Sequence, residues 1–109
     1  MGRETSGHPV TRSLPRQFVI PASEFYQFSP SPRANADVEV LLSISPKNYP
    51  LGIKDIVTHG DFPIVWTNPS KPARNVYFQI GHSASLFENP DFVRMFANAL
   101  RWGLNRPVE

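Results

Sequence analysis

The chain has 109 residues, 40% of them apolar and 12% aromatic, with 11 basic against 9 acidic side chains and no cysteine. That length allows a single domain with a real core, and the missing cysteines exclude a disulfide framework, a thiolate zinc site and a cysteine nucleophile within these residues. The net charge of +2 comes without a basic run, so nucleic-acid binding is not expected, and no apolar stretch reaches the length of a membrane-spanning helix.

The opening MGRETSGHPV holds no apolar core of a secretory leader, which sets the expectation of a cytoplasmic chain. From Pro9 to Pro21 the prolines favour an irregular segment with room for one helical turn. Four strand-like runs follow. Glu24 to Phe28 alternates and is rich in aromatics. Val38 to Ile44 starts by alternating and ends wholly apolar. Pro63 to Thr67 and Asn75 to Ile80 are β-branched and aromatic. The stretch KNYPLGIKDIVTHGDF between the second and third runs has the character of a long loop. NPSKPAR, residues 68 to 74, fits a hairpin connection between the last two. The twelve prolines, about double the usual frequency, cluster in these connectors, because proline cannot donate to a sheet ladder.

The last element is a helix. Asn89 suits its N-cap, Pro90 its first position, and Asp91 puts a carboxylate at the positive end of the helix dipole. Phe92, Phe96, Ala99 and Gly103 fall on one face, broadened by Val93, Met95, Leu100 and Trp102. Arg101 lies in the last turn, and Gly103 is placed to supply a left-handed C-cap.

Five segments, GHPVTRSLP (7 to 15), SEFYQF (23 to 28), VEVLLS (38 to 43), FPIVWT (62 to 67) and NVYFQIGHSASLFENPDFVRMFANALRWGLNR (75 to 106), resemble in order and spacing the C-terminal half of the ThuA-like (trehalose-utilisation) family. That family belongs to the class I glutamine amidotransferase-like superfamily. The resemblance implies an α/β fold: a partial flavodoxin-like layered domain with a mixed sheet and a C-terminal helix, residues 1–109 forming a single half-domain. Family members carry another half-domain upstream. In this chain the family's DE-x-Y segment becomes Ser23-Glu24-Phe25-Tyr26, which keeps the glutamate and the tyrosine and loses the aspartate.

In class I amidotransferases a histidine ends a strand before the last helix, inside an H-P-E motif, where the glutamate orients the imidazole that activates the cysteine. His82 holds the corresponding place. Ala84 stands where the carboxylate would be, and no thiol exists to activate, so cysteine-dependent amide hydrolysis is excluded. His82 is still a binding candidate, because ligands in open α/β sheets sit at the strands' C-terminal ends. His8 and Glu24 match family positions and are expected to converge on that edge, with Tyr26 and Trp66 as walls. For His8 and Glu24 taken singly, local turn or cap hydrogen bonding is the plainer role; for the aromatic residues it is core packing. In a metal set of His8, His59 and His82 with Glu24 or Asp61, only His59 and Asp61 have close ligand spacing, so the signal for a metal is weak. Neither a metal nor another cofactor is expected, and the catalytic residues are unassigned.

Two functional readings follow from the resemblance. One is a domain of disaccharide utilisation that binds or acts on a carbohydrate ligand. The other is a truncated, non-catalytic interaction module whose uncovered apolar faces make it a homo-oligomer.

Overall fold

A computed structural model describes residues 2–3, 7–20, 26, 28–44 and 62–109. Within them a four-stranded sheet of order β1-β2-β3-β4 is formed by Gly2–Arg3 (β1), Glu39–Ile44 (β2), Phe62–Thr67 (β3) and Tyr77–Phe78 (β4). The helix α1, Pro90–Gly103, lies against it.

Every ladder among these strands is antiparallel, which corrects the expected mixed sheet. The reason is visible at the β3–β4 connection: a parallel pair needs a crossover of a dozen or more residues, and only residues 68–76 separate these two strands. The β2 and β3 runs match the expected segments closely. β4 is shorter than the expected Asn75 to Ile80 because Asn75 is spent on the loop. Its side-chain oxygen accepts from Asn68 N–H at 2.9 Å, and its amide donates to the Asn68 and Ala73 carbonyls at 3.0 and 2.9 Å. Past Phe78 the ladder continues as one bond, Gln79 N–H to Ile64 at 3.0 Å. The strand expected at Glu24 to Phe28 falls largely outside the described residues; Tyr26 and Phe28, which are described, are not in a strand.

Alternation assigns the two sheet faces. Val65 pairs with Phe78, and the Phe78 ring lies 6.4 Å from Phe92 and 5.6 Å from Phe96, so this face carries α1. Trp66 pairs with Tyr77 on the opposite face, their rings stacked at 4.5 Å, with Phe28 edge-on to both. Because both faces are covered, Leu41, Leu42, Ile64 and Val65 are all fully buried, and the sequence there is apolar without a break. Val10, Leu14 and Phe18 from the N-terminal segment join the same core, with Leu86, Phe92 and Met95.

The N-terminal segment does hold one turn. His8 C=O accepts from Thr11 N–H at 3.0 Å and from Arg12 N–H at 2.8 Å. Arg3 Nη1 stitches that turn to β1 by donating to the Arg12 carbonyl at 2.7 Å.

Helix α1 starts as its sequence predicts. Asn89 Oδ1 accepts from Asp91 and Phe92 N–H at 3.1 and 3.0 Å, and its amide donates to the Val19 carbonyl. Two features differ from expectation. The buried arc is Phe92, Met95 and Asn98, with Ala99 and Trp102 packed beside it, whereas Phe96 is at the exposed limit and Gly103 is exposed. The helix is apolar around most of its circumference, so periodicity left the face open and sheet packing selected it. Gly103 is the last helical residue rather than the left-handed cap. That conformation belongs to Asn105, at φ 57°. Arg106 N–H to Arg101 C=O and Asn105 N–H to Trp102 C=O form the paired bonds of a Schellman motif. Glu109 then returns to Asn98, whose side-chain oxygen accepts from Glu109 N–H at 3.0 Å.

Candidate functional site: a cleft at the C-terminal end of the helix

Glu39 opens β2 and Thr67 closes β3, and the two are register partners. They therefore stand at one end of the sheet, on the face that carries α1. The helix delivers Trp102 to the same end, and the turn beginning at His8 packs against it. Together with the Asn68–Asn75 loop these residues enclose a cleft of about 290 Å³.

The His8 ring meets the Trp102 indole edge-on, with centroids 4.8 Å apart and planes at 67°. Arg74 crosses the other wall. Its guanidinium carbon lies 5.2 Å from the indole centroid, and its Nη1 donates to the Trp102 carbonyl at 2.7 Å. A cation there also complements the negative end of the helix dipole. Thr67 Oγ1 donates to the Asn75 carbonyl at 2.5 Å. Lys71 lies on the exposed rim.

His8 Nδ1 accepts from Val10 N–H at 3.2 Å, so the neutral ring carries its proton on Nε2. Desolvation by burial pushes the His8 pKa below its ordinary 6.5, and the nearby Glu39 carboxylate opposes that shift in part. The net shift favours the uncharged ring at neutral pH.

The candidates from sequence do not gather in one place. His8 lines the cleft. His82 is exposed, in the loop that leaves β4 through Gly81 at φ 155°. Since β4 runs antiparallel to β3, that loop is at the opposite end of the sheet. The rule that strand C-termini share an edge holds for parallel sheets, and an antiparallel ladder splits them. A short 3-10 helix, Ala84–Glu88, capped by Ser83, separates His82 from α1. Trp66 stands on the sheet face away from α1, partnered as described above. Tyr26 is joined to the sheet through its backbone, whose N–H donates to Gln79 Oε1 at 2.6 Å. Glu24, His59 and Asp61 lie outside the described residues. Among the described residues no three His, Asp or Glu side chains stand close enough to hold a metal ion, and no helix is long and apolar enough to cross a membrane.

Sequence reading missed Glu39, Arg74 and Trp102. Glu39 had a detectable signal, a carboxylate at a strand position whose alternation points it to the helix side. Trp102 looked like one more apolar residue of the helix face.

The described residues define a small α/β domain, an antiparallel sheet under a C-terminal helix with a polar cleft at one end. The sequence pattern of the ThuA family, described as trehalose utilisation, matches residues 2–103, and the chain belongs to that family. It is also similar to a ThuA-like protein from Bacteroides uniformis known from a crystal structure, at 50% identity and a TM-score of 0.82 over 97% of this chain and 42% of that one. The chain thus spans less than half the length of that relative. None of the curated proteins matches it. Four of the five family-like segments contribute to the cleft: His8 from the first, Glu39 from the third, Thr67 from the fourth, and Asn75 and Trp102 from the last.

Proposed function

We propose that the domain serves trehalose-related disaccharide utilisation by binding a sugar derivative in this cleft, one pyranose ring at a time. The carrying observation is the lining: an imidazole, a carboxylate, an indole, amides and two cations within about 290 Å³. That volume is at the small end for ligand pockets and suits a single ring better than a disaccharide. Hydroxyl-rich ligands need mixed donors and acceptors over an apolar wall, and the lining offers both. Under this reading the sheet and helix are one part of the flavodoxin-like layering that the family resemblance implies, and no step uses a thiol.

A titration followed by amide and indole NMR tests it. The chain has two tryptophans, so Trp102 in the cleft and Trp66 on the far face act as signal and control. Methyl α-D-glucopyranoside, trehalose and keto-sugar derivatives are expected to move the Trp102 indole resonance and leave Trp66 in place. Silence at Trp102 across that panel, with dispersed spectra, ends the reading.

The exposed side of α1 favours a second reading, self-association as an interaction module. Val93, Phe96, Leu100 and Leu104 form a stripe at helical spacing, with Leu100 56% and Leu104 72% exposed. Beside it runs an apolar groove floored by Phe78 and Ala99. Stripes of this kind on a soluble chain mark contact surfaces, and a second copy of the same helix is the occupant tested. Sedimentation velocity is expected to give a dimer that Leu100→Lys converts to monomer. A wild-type monomer at every concentration removes this reading.

A further inference from the structure

Most polar side chains in the cleft are already committed to protein partners. Arg74 Nη1 holds the Trp102 carbonyl, Thr67 Oγ1 holds the Asn75 carbonyl, and the Asn75 amide holds the Asn68 and Ala73 carbonyls. Beside them stand two groups of opposite polarity. One is His8 Nε2 and the other is the half-buried Glu39 carboxylate; neither has a hydrogen bond to another described residue. Both polarities are fixed.

The His8 polarity is set by its own backbone. Val10 N–H points at Nδ1, and the His8 carbonyl accepts from Thr11 and Arg12 to build the turn. For His8 to accept a proton at Nε2 as a neutral base, its proton must first move to Nδ1. That shift would set two N–H groups against each other at 3.2 Å. His8, whose ring lines the cleft, therefore carries an N–H and no lone pair at Nε2. Among the described ionisable side chains of the cleft the proton acceptor is Glu39, since Lys71 and Arg74 are cationic donors.

Resting on the carbohydrate reading above, we infer that His8 and Glu39 act as a fixed donor–acceptor pair that selects a neutral sugar with adjacent hydroxyls, His8 donating to one hydroxyl and Glu39 accepting from its neighbour. A vicinal diol satisfies both groups at once, because each hydroxyl can donate and accept. A uronate or sugar phosphate fits worse, because it sets a second anion near the Glu39 carboxylate. In any chemistry at this site, Glu39 is the group that takes a proton from a sugar hydroxyl, and His8 orients the ligand.

Two substitutions separate these roles from folding. In His8→Asn the amide oxygen can accept the Val10 N–H as an Asx turn does, so the turn is kept and the ring donor is lost. Glu39→Gln keeps shape and removes the charge. NMR titration with methyl α-D-glucopyranoside, its monodeoxy analogues and methyl glucuronide reads the outcome, with the Val10 amide resonance reporting the turn. We expect each substitution to weaken binding of the neutral glucoside roughly tenfold or more. One deoxy analogue should lose affinity for the wild type but not for Glu39→Gln, and the glucuronide should bind Glu39→Gln better than wild type. Wild-type affinity in both variants, with the Val10 resonance in place, overturns the pair while the cleft reading stands. A wild type that binds no glucoside fells the cleft reading, and the pair with it.

Discussion

Phe92→Ala is expected to destabilise the chain by about 3–5 kcal/mol, the range for truncating a buried aromatic side chain. Phe92 is 1% exposed and touches three other rings, Phe87 at 5.2 Å, Phe96 at 6.3 Å and Phe78 at 6.4 Å between centroids. It is the first large residue of α1 after the cap, and Phe78 lies on the sheet. Its removal thus opens a cavity at the joint between helix and sheet, and it removes aromatic contacts beyond the area lost. Urea denaturation should show a lower midpoint with an unchanged slope. A loss below about 1 kcal/mol would mean that the helix is not seated on β4 as described.

The second large effect is expected at a polar residue. Gln79 is 7% exposed, and its amide bridges two parts of the chain. Its Oε1 accepts from Tyr26 N–H at 2.6 Å, and its Nε2 donates to the Tyr26 carbonyl at 3.1 Å and to the buried Pro63 carbonyl at 2.5 Å. Gln79→Leu preserves volume and strands three backbone groups, and it should cost about 3 kcal/mol. Hydrogen exchange gives a sharper readout than the midpoint alone. The Tyr26 amide should lose protection in the variant, while amides of β2 and β3 keep theirs relative to global stability. Unchanged protection at Tyr26 would show that other contacts hold that segment to the sheet.

These two residues show what was legible in the sequence. Phe92 and its cap were fully readable: Asn89-Pro90-Asp91 states a helix start, and an aromatic residue two positions later has to be buried. Gln79 was not. In NVYFQI it occupies a strand position where glutamine ordinarily faces water, and only the tertiary fold supplies the Tyr26 backbone that satisfies it. Asn98 repeats the lesson, a polar residue in the buried arc of α1 whose partners are Ser13, Arg101 and Glu109. Strand identity was readable for β2 and β3 because their apolar runs leave no other reading. Strand direction was not, since buried runs look alike in parallel and antiparallel sheets. That error carried over to the site: His8 and His82 were expected to share an edge, and the antiparallel ladder puts them at opposite ends.

The meeting of His8 with Trp102 closes nearly the whole chain into one loop. Such a closure becomes more costly only slowly as the loop lengthens, but that entropy has to be given up before the contact returns anything. Contacts of such high sequence separation raise the contact order and so slow folding. The cleft is thus a keystone in space: it exists only where the His8 turn and the end of α1 meet.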